Sequence, residues 1–215
     1  MGVNNKGKAL FVTSFASHIA RIRSVIDFAK KLNRKVILMG RSMGKYSRAA
    51  ESVGLVNFSK EVEIYTYRRQ VEKALKMVEK NPGRYVVMCT GNQGEPGSIL
   101  DRLAKKELHF NFKEGDHLIF SCSVIPQPMN IKNRRALEDK LRRMKVRMFM
   151  DIHVSGHAGR EDLRDFINLV KAENVVPAHG EVRMTNALAD LCEEEGYKRG
   201  KNVFVLKDGG TVKFK

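Results

Sequence analysis

The chain has 215 residues, 42% hydrophobic and 30% charged, a balance that excludes an intrinsically disordered protein and allows one large domain or two small ones. No apolar run reaches the roughly 18 residues of a membrane span, and the first ten residues lack the apolar core of a secretory signal. Cys89, Cys122 and Cys192 lie far apart, without C-x-x-C spacing, so we expect reduced, buried thiols in a cytoplasmic protein.

The charge is basic and unevenly distributed. Forty Lys and Arg against 24 Asp and Glu give a net charge of +16. Residues 1–150 carry 30 basic and 13 acidic side chains, net +17, whereas residues 151–215 carry 10 and 11, net −1. This asymmetry indicates a polyanion-binding surface on the first part. The competing interpretation is a lysine-rich solvated surface. Membrane binding is disfavoured, because the basic stretches lack the apolar face of an interfacial helix.

Apolar segments rich in Val, Ile and Phe alternate with segments of helical period along residues 1–150. The predicted strands span residues 8–13, 35–39, 61–65, 84–89, 117–122 and 147–152. The predicted helices span residues 17–32, 42–53, 69–80, 97–106 and 130–143. Near-continuous apolar strands separated by helices predict an α/β fold with a Rossmann-like parallel sheet and helices on both faces.

The last part, residues 151–215, predicts a smaller αβ segment. It has expected helices at 160–170 and 184–195 and an expected strand at 174–176. Two further strands, 203–206 and 211–214, flank the turn 207–210 and predict a closing hairpin. We therefore divide the chain into a first domain, 1–150, and a C-terminal segment, 151–215.

Polar or glycine-rich segments directly follow four of the predicted strands, where parallel sheets bind ligands. They span residues 13–18, 40–45, 90–98 and 153–159. Each can offer backbone N–H groups and hydroxyls to a phosphate at a helix start. The candidate phosphate-binding residues there are Ser17, His18, Arg41 and Ser42. Such turns also arise for steric reasons alone. The spacing of Gly91 and Gly94 matches neither the dinucleotide nor the triphosphate fingerprint, which disfavours those ligands.

Three of the six histidines, His153, His157 and His179, follow apolar strands in loops that contain glycine. His153 and His157 have the i, i+4 spacing of a zinc-binding helix, but the glycines between and after them argue against a continuous helix. For any one of them a structural histidine is the simpler explanation. Together with Glu95, the three predict a metal site or a polyanion-handling site.

A basic helix is predicted near the end of the first domain. Residues 132–147 carry eight Lys or Arg against two acidic residues, net +6. The side chains expected to face inward are Ala136, Leu137, Leu141 and Met144, and those expected to face outward are Arg134, Arg135, Arg142 and Lys145. We hypothesise that Arg134, Arg135 and Arg142 contact RNA phosphates. The alternative is a solvated helix in which Asp139 pairs with Arg142 or Arg143.

Two stretches carry a resemblance to a known family. Residues 86–103, VVMCTGNQGEPGSILDRL, and 151–181, DIHVSGHAGREDLRDFINLVKAENVVPAHGE, resemble ribonuclease J, a family of the β-CASP branch of the metallo-β-lactamase superfamily. Residues 11–26 and 40–43 are similar to the first strand and helix and to the second strand end of the β-CASP insertion. The resemblance implies a β-CASP domain followed by the closing segment of the metallo-β-lactamase fold.

The resemblance also implies roles for single residues. Glu95 corresponds to an acidic residue that supports the catalytic site by hydrogen bonding. His157 corresponds to a histidine that contacts the scissile phosphate and protonates the leaving oxygen, and His179 to a ligand of the second catalytic metal. The residues implied to contact RNA phosphate in the same turn are Ser155 and Gly156. We also expect His153, just before them, to contact phosphate. Two zinc ions bridged by a hydroxide would make an in-line attack on the phosphodiester feasible.

One departure from the family pattern limits these implications. The superfamily's H-x-H-x-D-H metal signature should precede the β-CASP insertion, but only sixteen residues precede Ser17 and no H-x-H occurs. We therefore expect the chain to correspond to the second half of ribonuclease J, as an expressed portion, a proteolytic fragment or one piece of a split gene. Zinc is expected in the complete parent enzyme and not stably bound by this chain, because one ligand cannot hold a dinuclear centre.

The leading functional hypothesis is the RNA-binding β-CASP portion of a zinc-dependent 5′-to-3′ exoribonuclease, inactive on its own. The alternative is a stand-alone, non-catalytic RNA-binding or partner module of the same fold. A Rossmann-like nucleotide-binding protein would fit the fold but lacks its fingerprint. The expected partners are single-stranded RNA and the absent N-terminal half, in cis or in trans. A homodimer is left open, and no membrane partner is expected.

Overall fold

The computed structural model describes residues 7–150, 152 and 158–214. The chain forms two compact units, Met1–His153 and Val154–Lys215. The division of the chain into an RNA-binding domain, 1–150, and a C-terminal segment, 151–215, concerns function and stays a prediction. In the described part of the chain, no helix is long and apolar enough to cross a membrane.

The first unit is built on one six-stranded sheet. Its strands are β1 (Leu10–Thr13), β2 (Lys35–Met39), β3 (Glu63–Tyr65), β4 (Tyr85–Cys89), β5 (His117–Phe120) and β6 (Arg147–Phe149). Every neighbouring pair is parallel, in the order β3-β2-β4-β1-β5-β6. The six predicted strands of this unit are therefore present, although β5 and β6 end two and three residues earlier than predicted.

Helices cover both faces of this sheet. They are α1 (Ile19–Lys31), α2 (Arg41–Ser52), α3 (Arg68–Lys80), α4 (Ile99–Ala104) and α5 (Pro128–Arg143), with short 3-10 turns at Phe58–Lys60 and Pro82–Arg84. Right-handed crossovers place α1 and α2 on one face and α3, α4 and α5 on the other. Ile22 of α1 accordingly packs in one apolar cluster and Leu75 of α3 in a second. The predicted α/β class, with a parallel sheet covered on both faces, is confirmed.

The second unit contains two helices, α6 (Arg160–Val170) and α7 (Val182–Glu194). Helix α6 has the predicted bounds, and α7 begins two residues earlier than predicted. The unit has its own apolar cluster, formed by Ile167, Ala189, Leu191, Cys192 and Val203. On its surface, Arg164 forms ion pairs with Glu161, Glu194 and Glu195.

The strand at 174–176 and the closing hairpin are wrong predictions. In residues 158–214 the structure has two isolated bridges, Val175 with Val203 and Arg199 with Val203, instead of strands. The predicted turn exists, since Gly210 N donates to Lys207 O at 2.8 Å, but no ladder extends from it among these described residues. The apolar residues that suggested strands here have another role, because Val203 packs in the apolar cluster with α6 and α7.

Helix α5 differs from its prediction in length and orientation. It ends at Arg143, as predicted, but begins two residues earlier, at Pro128, and the last residues of the basic stretch 132–147 lie beyond it. Leu137 and Leu141 are buried as predicted, but Ala136 is exposed. Arg134, expected to face outward, is only 4% exposed. The reason is its position: residues 134, 137 and 141 share one helical face at i, i+3 and i+7, so Arg134 lies on the inward side.

The buried guanidinium of Arg134 joins α5 to two other elements. Its Cζ lies 3.4 Å from the centroid of the Phe120 ring at the end of β5. Its Nη1 donates to Asn92 O at 2.6 Å, in the loop after β4, and its Nε lies 2.7 Å from Glu138 Oε1. Arg134 is therefore a packing residue, and we withdraw it as a phosphate contact. Arg135 and Arg142 are exposed as predicted.

Replacing Arg134 should destabilise the first unit far more than replacing its neighbour. We expect Arg134→Ala to lower the free energy of unfolding by about 3 kcal/mol, because it breaks a buried ion pair. The exposed control Arg135→Ala should change it by less than about 0.5 kcal/mol. Urea titration followed by circular dichroism measures both. Equal effects of the two substitutions would show that Arg134 does not hold α5 in place.

Candidate nucleic-acid interface

A cleft of about 710 Å³ opens at the carboxyl ends of β1 to β4 in the first unit. Its walls come from residues 14–17, 40–42, 66–68 and 95–99, which follow the four strands in turn. The chain leaves β1 towards a helix on one face and β4 towards a helix on the other. Such a reversal between adjacent strands leaves a crevice, which is where open parallel sheets bind ligands.

Four of the residues singled out from the sequence line this cleft together. They are Ser17, Arg41, Ser42 and Glu95. The segments 13–18, 40–45 and 90–98 are distant in sequence, and the sheet brings them to one place, as the strand-end argument predicts. Phosphate binding by Ser17, Arg41 and Ser42 stays a prediction.

The cleft is electropositive for two reasons. Arg41, Arg68 and Arg102 line it, whereas Glu95 is the single carboxylate among its lining residues. Helices α1, α2 and α3 also begin beside it, and none of the three has an acidic residue in its first turn. The partial positive charge of these helix starts is therefore not offset locally, and the cleft favours an anion.

Two of these arginines also contact carboxylates. Arg68 Nε lies 2.9 Å from Glu72 Oε1, and Arg102 Nε lies 3.7 Å from Glu107 Oε2. In each pair one partner is well exposed, Arg68 in the first and Glu107 in the second, so both are surface ion pairs of small energy.

His18 caps a helix. It is the N-cap residue of α1, and its Nδ1 accepts a hydrogen bond from Arg21 N at 3.2 Å. This bond satisfies one of the backbone donors that a helix start leaves without an internal partner. The histidine thus has a local structural role, and its predicted phosphate contact stays a prediction.

The loop that carries Glu95 is tied to the next loop by a buried glutamine. Gln93 Nε2 donates to Ser123 O at 2.9 Å, and Gln93 Oε1 accepts from Ile125 N at 2.8 Å. Gln93 N in turn donates to Glu95 Oε2 at 3.0 Å, which orients the carboxylate. The sequence pattern contained Gln93 but gave it no role, because its two partners follow β5 and lie about thirty residues away.

Two glycines of the same loop serve close packing. Gly94 has φ +72°, and a Cβ there would lie 2.5 Å from the backbone of Asn133 in α5. Gly91 has φ +121°, and a Cβ there would lie 2.6 Å from Leu100 Cβ. Any side chain would force these elements apart. The steric explanation of the glycine-rich turn therefore applies at both positions.

Aromatic rings add a second kind of contact surface. Tyr46 and Tyr67 line the cleft and are 44% and 68% exposed. Exposed rings beside cationic groups are the usual means of holding single-stranded nucleic acid, because every base can stack on them. The sequence pattern did not single out Tyr46, Tyr67, Arg68 or Arg102. The turn between β3 and α3 has neither the glycines that follow β2 and β4 nor the run of small polar residues that follows β1.

The three cysteines are buried and unlinked, as predicted. Burial raises the pKa of the Cys89 thiol to about 12, with a smaller contribution from the charge of Glu95. A thiol with so high a pKa stays neutral at physiological pH and is neither a nucleophile nor a metal ligand.

The remaining site predictions concern the second half of the chain. His153, Ser155, Gly156 and His157 lie outside the described residues. His179 is exposed and has φ +60°, just before α7. Among the described residues, no group of three or more His, Cys, Asp or Glu could hold a metal ion. Zinc needs at least three protein ligands, so the described residues do not fit a zinc centre, and we derive no hydrolytic step through one.

Comparisons with known proteins identify two domains in the chain. A family model of the ribonuclease J β-CASP domain matches residues 7–138. A model of the Zn-dependent metallo-hydrolase RNA specificity domain matches residues 143–206. The first match contains β1 to β5 and the whole cleft, and the second contains β6, α6 and α7.

Three longer proteins are similar to this chain over nearly all of its length. Ribonuclease J of Methanocaldococcus jannaschii is 39% identical over 215 residues, all of this chain and 48% of the relative. Ribonuclease J of Pyrococcus abyssi is 45% identical over 94% of this chain and 45% of the relative. Ribonuclease J2 of Bacillus subtilis is 32% identical over 98% of this chain and 37% of the relative. The chain thus spans less than half the length of each of these relatives, and by its β-CASP and RNA-specificity domains it belongs to the ribonuclease J family.

Proposed function

We propose that this chain is the RNA-binding β-CASP portion of a ribonuclease J that hydrolyses RNA phosphodiesters in the 5′-to-3′ direction when complete. The observation that carries the proposal is the cleft at the carboxyl ends of β1 to β4. It combines three arginines, three helix starts without acidic first turns and two exposed tyrosines. Single-stranded RNA offers phosphates for the first two features and bases for the third.

Each wall of the cleft has a distinct part in this proposal. Arg41 grips a phosphate through its planar fork, and the hydroxyls of Ser17 and Ser42 add hydrogen bonds. Tyr46 and Tyr67 stack on bases without reading their sequence. Binding of this kind depends on phosphates and stacking, so it suits an enzyme that processes RNA of any sequence.

Catalysis belongs to the complete enzyme in this proposal. Glu95, His157 and His179 keep the roles that the family resemblance implies, as a supporting carboxylate, a proton donor and a metal ligand. Zinc ligands beyond His179 would come from the remaining part of the enzyme, in cis or in trans. Ser155 and His157 are proposed to hold a phosphate without metal, next to His153 and Gly156.

Removing one cleft arginine should weaken RNA binding, and removing a distant one should not. We expect Arg41→Gln to reduce affinity for single-stranded RNA about fivefold and to flatten the salt dependence by about 0.7 in log–log slope, the value of one lost phosphate contact. The matched control is Arg84→Gln, an exposed arginine before β4 at the opposite end of the sheet. Fluorescence anisotropy over a salt series measures both. Equal losses would mean that net charge, not the cleft, attracts RNA.

The chain alone should not degrade RNA. With added Zn²⁺ or Mn²⁺ we expect no EDTA-sensitive turnover, because His179 is one ligand of the several that a dinuclear centre needs. Adding the separately expressed N-terminal half of the Methanocaldococcus relative should restore turnover, and His179→Ala should abolish it again. Turnover by the chain alone that His179→Ala removes would contradict the proposal. RNA binding without restoration would favour the non-catalytic binding module.

A further inference from the structure

We propose that the outer face of α3 is a second RNA-binding surface that continues from the cleft. It consists of Arg69, Lys73, Lys76 and Lys80, and we call it the α3 ridge. The inference rests on the proposed function, since it assumes that the ligand in the cleft is single-stranded RNA. It adds a surface along which that RNA leaves the cleft.

The four cations of the α3 ridge form a straight row. They stand at i, i+4, i+7 and i+11, so they fall within about 60° of arc and extend for about 16 Å along the helix. All four are exposed. The opposite face of α3 is buried in the core through Val71, Ala74, Leu75 and Val78. Packing thus fixes the helix so that the row points to solvent.

The charge of the α3 ridge is not cancelled by neighbouring carboxylates. Glu72 pairs with Arg68, and that hydrogen bond lowers the pKa of Glu72, with only a smaller contribution from Lys76. Glu79 Oε1 accepts from Asn111 N at 3.3 Å. Within the part of the chain that the structure describes, no carboxylate forms an ion pair with any of the four ridge cations.

Helix α5, which has the higher basic count, lacks this arrangement. Its Arg142 pairs with both Glu138 and Asp139, and Arg134 is buried beside Glu138. Asp139 also stands on the outer face, so it interrupts the row of cations there. The arginines of the second unit that the structure shows in ion pairs are Arg160, Arg164 and Arg199. The ridge on α3 therefore presents the better polyanion track.

The α3 ridge begins where the cleft ends. Tyr67 and Arg68 line the cleft, and Arg69 follows them directly as the first cation of the row. An RNA chain that extends from Tyr67 along α3 would contact Lys73, Lys76 and Lys80 in order. At about 3.4 Å per nucleotide of a stacked strand, the row spans about five nucleotides. Lysines placed in this way contact phosphates and carry no base preference.

The experiment compares RNA lengths in the full chain. The ridge variant is Lys73→Gln/Lys76→Gln/Lys80→Gln, and the matched control is Lys31→Gln/Lys35→Gln/Lys60→Gln, three exposed cations outside α3 and the turn that follows it. For single-stranded RNA of about fifteen nucleotides, we expect the ridge variant to bind at least about tenfold more weakly, with a salt slope lower by about 2. A trinucleotide, which fills only the cleft, should bind equally well to both variants and to the unmodified chain.

The outcomes separate the ridge from the cleft. Unchanged affinity of the ridge variant for the long RNA, with the unmodified chain still binding, overturns the ridge and leaves the proposed function intact. Equal weakening in both variants, or an equal loss for the trinucleotide, also overturns it, because net charge would then explain the effect. Binding of poly-glutamate to the ridge in preference to RNA would assign it to an acidic protein partner instead. No RNA binding by the unmodified chain would contradict the proposed function itself.

Discussion

The common direction of the six strands is the constraint on which the candidate site depends. Because every strand of the first unit is parallel, the segments that follow β1, β2, β3 and β4 must all emerge at one edge. Right-handed crossovers then start a helix at each of these points, with backbone N–H groups directed to the same edge. Residues as distant in sequence as Ser17, Arg41 and Arg68 become neighbours in one cleft. An anion at that edge is therefore favoured by the fold itself, before any particular side chain is considered.

The polar loop after β4 is anchored by contacts with neighbouring elements. Several of its residues serve these contacts. Gln93 binds the loop after β5, Arg134 binds Asn92 from α5, and Gly94 lets the loop approach α5 closely. The bond from Arg134 to Asn92 O is buried and the two Gln93 bonds are partly buried, so the polar groups that form them are satisfied within the protein. The wall that carries Glu95 is fixed in place as a result, which is the kind of support that a binding site needs.

The spacing of apolar residues along the sequence predicted most of the secondary structure. The strands and helices of the first unit follow from apolar runs and helical spacing, and the cleft residues Ser17, Arg41, Ser42 and Glu95 follow from their places after strands. The errors arise where contacts with residues distant in sequence determine the position of a side chain or segment. Arg134 is buried because Phe120 and Asn92 receive its guanidinium, and neither lies near it in sequence. The tail residues around Val203 pack on helices instead of pairing as a hairpin. Tyr67 and Arg68 were missed because their short turn has neither a glycine nor a run of small polar residues.

The central claim is that RNA lies in the cleft at the carboxyl ends of the strands. Photo-crosslinking with thiouridine-containing single-stranded RNA, followed by mass spectrometry of the digested protein, tests it most directly. The account predicts crosslinks at Tyr46 and Tyr67, the two exposed rings of the cleft. Crosslinks confined to the opposite end of the sheet, around Lys35 and Arg84, would contradict it.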